Sequence, residues 1–276
     1  MLVVKVGGGA AIDLAGLCRD LARRREREEV VLLHGASKEL DRLSVALGRP
    51  PVTVASVSGI QSRYTDDATL ELFTMVYAGS ANVRIVERLQ QHGVAAVGLC
   101  GVDAGLLRGP EKGVLRVRRP DGREQVVRGD RSGRVTAVNT HLLRMLLDSG
   151  YLPVLCPPAL SDQGRAMNVD GDRAAAQVAV ALGADTLVLL TDVPGLLRDP
   201  RDPSSLISDV RRHELGRAME VARGRMRIKV LAAREDLQGG VRRVVLADGR
   251  VPAPVEAACA GGGTVLRRAG TARVRP

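Results

Sequence analysis

Of the 41 basic residues in this chain only four are lysine: Lys5, Lys38, Lys112 and Lys229. Where arginine is the habit, a retained lysine marks a place that needs a compact ammonium and not a wide planar fork. Lys5 lies within the apolar run Leu2 to Val6 that leads into Gly7-Gly8-Gly9, and Lys229 closes Gly224-Arg225-Met226-Arg227-Ile228-Lys229. An ordinary surface lysine at a strand is the competing reading of Lys5. Lys229 is expected to open an apolar helix through Val230, Leu231 and Ala233. A cation there opposes the helix dipole, so a nearby anion would explain it.

Three further stretches carry polar chemistry. His34-Gly35-Ala36-Ser37 follows a second apolar run, Val30 to Leu33. Met167-Asn168-Val169-Asp170-Gly171-Asp172 precedes an alanine-rich segment. Leu190-Thr191-Asp192-Val193-Pro194-Gly195 follows a third apolar run. Glycines at such junctions let backbone N–H groups approach phosphate, and helix N-termini add partial positive charge. Neither glycine cluster fits GxxxxGK[ST] or GxGxxG, so both a Walker loop and a dinucleotide fingerprint are excluded. Taken alone, each cluster reads more readily as a plain strand-to-helix turn than as a phosphate site. Asp172 as helix cap or first-turn acid is the plain reading of this stretch. A second Asp and an Asn exceed that need, and a carboxylate can fix the orientation of an ammonium such as Lys5.

The elements that must position these residues alternate. Leu2–Val6, Val30–Leu33, Ala95–Leu99, Leu152–Cys156 and Thr186–Leu190 read as buried strands; 13–25, 68–91, 140–149 and 174–182 read as helices. That alternation predicts an α/β fold, a three-layer αβα sandwich with a mainly parallel central sheet. In such sheets ligands bind at the carboxyl ends of the strands, where the polar stretches fall. Between Leu106 and Val135 the helical period vanishes, and Arg119-Pro120-Asp121-Gly122-Arg123 marks the turn of a β-hairpin insertion at the sheet edge. This segment holds Arg108, Lys112, Arg116, Arg118, Arg119, Arg123, Arg128, Arg131 and Arg134 against Glu111, Asp121, Glu124 and Asp130.

Composition narrows the function classes. With one Phe, three Tyr and no Trp, the core is aliphatic, as buried parallel strands prefer. The net charge of +10 suits an acidic protein or an anionic substrate. Nucleic acid is not expected, because stacking platforms are missing. Cys18, Cys100, Cys156 and Cys259 form no CxxC pair, so they read as core thiols in a reducing compartment and no protein-held metal is expected. No apolar run is long enough for a membrane span and no leader is evident, so the expected location is the cytoplasm.

Taken together and in order, Lys5 before the triple glycine, HGAS at 34–37, SRYTD at 62–66, NVDGD at 168–172, LTDVPGLL at 190–197 and GRMRIK at 224–229 resemble the amino acid kinase family over roughly 1–268. Within it, SGIQSRYTDDATLELFTMVYAG, PVLCPPALS and MNVDGDRAA resemble the branch of N-acetylglutamate kinase. They resemble still more the kinases of lysine synthesis whose aminoadipate is held on a small acidic amino-group carrier protein. The resemblance implies a single domain over 1–268, with a lobe 1–173 for the acyl acceptor and partner, a lobe 174–268 for the nucleotide, and a tail 269–276. It also implies a homodimer.

The same resemblance implies roles. Lys5 and Lys229 stabilise the transferring phosphoryl group and Asp172 orients both. Arg63 grips the acceptor's α-carboxylate, Asn168 binds its blocked amide, and Gly35 and Ala36 line that pocket. Gly8, Thr191, Asp192 and Gly195 contact ATP, with Mg²⁺ carried by the nucleotide. A carboxylate acceptor is already ionised at neutral pH, so no general base is needed; placement and charge neutralisation do the work. The family's second strand end usually reads HGG, whereas Ala36 stands here. Its methyl crowds the site unless the backbone there has φ below zero. Two alternatives stay open: an N-acetylglutamate kinase of arginine synthesis, or one enzyme serving both routes; and a degenerate nucleotide-binding regulator.

Overall fold

The computed structural model describes residues 1–268 apart from positions 10, 58, 60 and 120; the tail expected at 269–276 lies outside the described residues. In chain order the first half contains β1 (Leu2–Val6), α1 (Leu14–Arg24), β2 (Val30–His34), α2 (Ser37–Ala46), β3 (Thr53–Ala55), β4 (Gln61–Arg63), α3 (Asp67–Thr74), a π-helical segment (Met75–Ala81), α4 (Asn82–Gln91), β5 (Ala96–Gly101) and β6 (Leu107–Gly109). Then follow β7 (Glu111–Arg118), β8 (Glu124–Gly133), β9 (Ala137–Val138), α5 (Thr140–Asp148), β10 (Leu152–Ser161), β11 (Ala166–Val169) and α6 (Gly171–Leu182). The chain continues with β12 (Thr186–Thr191), β13 (Asp209–Arg211), α7 (Leu215–Val221), α8 (Gly224–Gly239), β14 (Arg243–Asp248), α9 (Pro254–Cys259) and β15 (Thr264–Arg267).

The central sheet is parallel in the order β14-β12-β1-β2-β10-β5. Antiparallel strands are confined to its margins, where β15 adds to β14 and β11 adds to β10. The hairpin β7–β8 extends the sheet through β11, at the edge expected for it. Because successive side chains alternate in direction, each strand feeds two cores. Val3, Leu33, Leu155, Leu189 and Leu246 pack with Ala175, Val178, Val230 and Leu237 of α6 and α8. Leu2, Val4, Leu32, Val154 and Val188 pack on the other face with Leu17, Leu21, Leu89 and Val255 of α1, α4 and α9. The fold is therefore an α/β three-layer sandwich with a mostly parallel sheet.

Three expectations need correction. The helix read continuously over 68–91 is broken by the π-helical turn Met75–Ala81. That turn delivers Asn82 to the sheet, where its Nδ2 lies 3.1 Å from His34 Nε2 and donates to Val154 O at 3.0 Å. The strand expected to end at Cys156 runs to Ser161, because its second half acquires its own partners in β11 and β6. Lys229 does not open its helix: α8 begins at Gly224, so the lysine sits beyond the first turn, and the helix dipole does not explain it. Its pairing does, as described below.

Candidate active site

Of the four lysines, Lys38 and Lys112 are exposed and Lys5 and Lys229 are buried. Lys5 lies on β1 two residues after Val3, so strand alternation aims it at the α6–α8 layer. There it meets the start of α6. Asp170 caps that helix by accepting the Arg173 N–H at 2.9 Å. The cap leaves Asp172, in the first turn, free to turn inward. Lys5 Nζ stands 2.6 Å from Asp172 Oδ1, and Lys229 Nζ, from α8, stands 3.0 Å and 2.8 Å from the two Asp172 oxygens. Gly171 lies against the Lys5 side chain, where an added Cβ would touch Cε at 3.4 Å.

Burial penalises the Asp172 charge, but Lys229 and then Lys5 outweigh it and hold the carboxyl well below the usual carboxylate range. Burial draws the Lys229 ammonium below the usual lysine range, and Asp172 offsets only part of that. Together the two ammoniums carry more N–H donors than the one carboxylate they share can take up. The arrangement is a buried cationic receptor at the carboxyl end of the sheet, suited to neutralising a second anion.

The two glycine turns flank it in direct contact. Gly35 N donates to Val6 O at 3.0 Å, and Lys38 N donates to Gly8 O at 3.2 Å. A Cβ on Gly8 would come within 2.3 Å of Ser37 N and 2.7 Å of Ala36 N, so only glycine fits. The start of α2 has no side-chain cap, which leaves its N–H dipoles available to an anion. Ala36 has φ −145°, so its methyl brings no backbone strain. His34 at the end of β2 is fully buried. Burial above all pushes its imidazole down to about 4, so it is neutral at neutral pH.

On the other side, Arg63 on β4 pairs through Nη2 with Asp41, while its Nη1 is buried and has no partner. Asn168 on β11 donates to Thr65 Oγ1 at 3.0 Å, and Thr65 is itself fixed by its N–H to Asp130 Oδ1 at 3.2 Å. Thr191 ends β12 and sits 3.3 Å from Asp192 Oδ1. Gly195 is buried at φ +155°, and a Cβ there would meet Thr264 Oγ1 at 2.7 Å and Leu206 at 2.8 Å. Packing therefore requires glycine there. Among the described residues no group of three or more His, Cys, Asp or Glu side chains is placed to hold a metal ion, and no helix is long and apolar enough to cross a membrane.

The profile of the amino acid kinase family matches residues 1–248. The chain is 51% identical over 267 residues to the LysW-aminoadipate kinase of Deinococcus radiodurans, covering 96% of this chain and 91% of that one. This chain belongs to the amino acid kinase family. The LysW-aminoadipate kinase of Thermus thermophilus is 45% identical over 97% of this chain and all of its own length. The acetylglutamate kinase of Pelotomaculum thermopropionicum is 37% identical, over 91% of this chain and 85% of its own. Among solved structures, N-acetylglutamate synthase of Neisseria gonorrhoeae superposes with a TM-score of 0.77 at 28% identity. That match covers 98% of this chain, which spans only 60% of that protein.

In this amino acid kinase the sequence left several residues unmarked. Tyr77, buried and stacked on Phe73 with ring centroids 4.0 Å apart, receives the Ala36 N–H, and burial pushes its hydroxyl up to about 12. Asn82 positions the end of β2, and Thr65 positions Asn168. Thr65 lay inside a quoted motif, but its role depends on a partner far along the chain. Tyr77 and Asn82 looked like ordinary residues of a long helix.

Proposed function

We propose that this chain transfers the γ-phosphoryl group of ATP to the side-chain carboxylate of L-2-aminoadipate held on a small acidic carrier protein, giving an acyl phosphate in lysine synthesis. The observation that carries the reading is the buried Lys5–Asp172–Lys229 cluster set against two touching glycine turns. ATP supplies the phosphoryl group; the glycine-lined cradle at Gly8 and the N-terminus of α2 fit phosphate, and Thr191 and Asp192 lie at the neighbouring strand end for the nucleotide. Mg²⁺ would arrive held by the phosphates, as this hard ion prefers. Lys5 and Lys229 neutralise charge that builds during transfer, and Asp172 keeps both ammoniums in place. The orphaned Arg63 Nη1 suits the acceptor's α-carboxylate. Asn168, Gly35 and Ala36 line the pocket for the blocked amide. In this reading the lobe 1–173 serves acceptor and carrier, the lobe 174–268 serves the nucleotide, and the enzyme works in the cytoplasm as a homodimer.

The hairpin supports a carrier. Cross-strand pairs Val114–Arg128, Arg116–Val126 and Arg118–Glu124 place cations and the exposed Val114 and Val126 on one face, a surface suited to an acidic protein. Arg131 is not part of it, since it is held inward by Glu111 at 2.5 Å and by Asp67. Assaying the chain with carrier-bound aminoadipate, carrier-bound glutamate and free acetylglutamate tests the reading. Turnover of the first is expected to exceed the others in kcat/KM, and preference for acetylglutamate overturns it in favour of an arginine-pathway kinase.

A further inference from the structure

Two cysteines that the sequence holds far apart are neighbours in the sheet. Cys100 of β5 and Cys156 of β10 stand opposite each other in parallel register. Adjacent strands run about 4.8 Å apart, within the roughly 4.4–6.8 Å between Cα atoms that a disulfide spans. The two thiols differ in access. Cys156 is fully buried, touched by the Asn82 side chain, and feels the charge of Cys100. Cys100 is half-buried, and the N–H groups of Val102 and Asp103 point at its sulfur; its own N–H donates to Asp103 Oδ2 at 2.7 Å. Cys18 and Cys259, on α1 and α9, have no cysteine among the charges that act on them.

We propose that Cys100 and Cys156 form a reversible dithiol–disulfide pair that a peroxide oxidises, fixing the wall beneath Ala36 and Tyr77. The Cys100 sulfur attacks one oxygen of hydrogen peroxide. The O–O bond breaks, and the products are a sulfenic acid on Cys100 and one water. The Cys156 sulfur then attacks the Cys100 sulfur; the S–S bond forms, the S–O bond breaks, and the departing hydroxide takes the Cys156 proton as a second water. Two thiols lose two electrons and one peroxide becomes two waters. Cys100 goes first because it is reachable and its sulfur receives two N–H groups, whereas Cys156 is sealed. Burial raises the Cys100 thiol above its usual range, so the thiolate is scarce at neutral pH and sustained rather than brief oxidant is required. Cys156 shares an apolar cluster with Ala36, Phe73 and Tyr77, and Cys100 packs on its rim. The effect on the acceptor rests on the pocket assignment proposed above; the bond itself does not.

The test treats the reduced full chain with hydrogen peroxide, blocks remaining thiols with N-ethylmaleimide and maps the peptides by mass spectrometry. Two fewer blocked thiols, a Cys100–Cys156 linked peptide and reversal by dithiothreitol are expected. Four blocked thiols under conditions that oxidise exposed Met75, or a link through Cys18 or Cys259, overturns the pair. In Cys156→Ser a dimedone adduct at Cys100 is expected, and its absence overturns the order of attack. Cys100→Ser, at a half-buried position, must abolish the link, which keeps the test open if Cys156→Ser does not fold. For the linked protein the acceptor KM is expected to rise several-fold with the ATP KM unchanged, and an unchanged acceptor KM overturns the coupling. Failure of the reduced protein to use the acceptor at all is instead a failure of the proposed function.

Discussion

The cluster at Asp172 and the hairpin β7–β8 are both built from cations, yet they obey different physics. Lys5 and Lys229 are buried and share one carboxylate at hydrogen-bond distance. Arg116, Arg118 and Arg119 are exposed, and none has an ion-pair partner within 4 Å among the described residues. In the interior a charge is tolerated only while its partner stays, so the cost of losing that partner is large. On the surface, water and salt do most of the neutralising, and each charge contributes little by itself. Chemistry that must stabilise developing charge belongs in the first environment. Steering of a partner belongs in the second, where many weak contributions add and then fade with salt.

The largest expected effect comes from removing the shared carboxylate. Asp172→Asn leaves two buried ammoniums without their counter-charge, and a loss of about 3–5 kcal/mol of stability is expected from urea unfolding. A loss under 1 kcal/mol would place the cluster with the surface charges. Acid should act through the same group. Its folded-state pKa is depressed, so its contribution is complete above the unfolded carboxylate value near 4 and is lost as pH falls below it.

Lys229→Arg keeps the charge and changes its shape. A fall in kcat of about two to three orders of magnitude is expected, as for removal of a positioned transition-state donor, with the fold retained by circular dichroism. Near-normal kcat would remove Lys229 from the reaction.

His34 sharpens the comparison from the titration side. Its folded pKa is about 4 against an unfolded value near 6.5, so between those values the unfolded chain binds the extra proton. Stability is therefore complete above about pH 6.5 and falls as pH drops toward 4, by about 3 kcal/mol in all. A His34→Gln chain should show a flatter pH profile over that window; an unchanged slope would mean another group dominates.

The hairpin comes next in size. Reversing Arg116, Arg118 and Arg119 to Glu should raise the KM for carrier-bound substrate by roughly tenfold at low salt and leave the ATP KM alone. The wild-type carrier KM should climb with ionic strength. Equal KM values for the two proteins at low salt would leave the hairpin without a docking role. The smallest effect is expected from Ala36→Gly. With φ −145° at this position, glycine relieves no strain, so stability should change by less than about 1 kcal/mol and kcat should stay the same or rise. A large fall in kcat would show that the methyl is a fitted part of the pocket.

Several features were legible because they are local. Val-rich runs that bury on both faces, glycines at their ends and an Asp before an alanine-rich helix specify strand, turn and cap within a few residues. From these the three-layer α/β class, the edge hairpin and the strand ends that hold the site could be read. Lysine scarcity alone did not separate the four: the two singled out for the candidate site, Lys5 and Lys229, are buried, and Lys38 and Lys112 are exposed.

What the sequence by itself determined about this protein is the alternation of strands and helices and the chemical types gathered at the strand ends. The family resemblance already implied that Asp172 orients Lys5 and Lys229; only the tertiary structure decided that Arg131 turns inward while its hairpin neighbours face water, that a π-helical turn aims Asn82 at His34, and that Cys100 stands across from Cys156. Each of these depends on the register of elements distant in the chain. Register is set by how whole faces bury against one another, and no short window of residues contains that information.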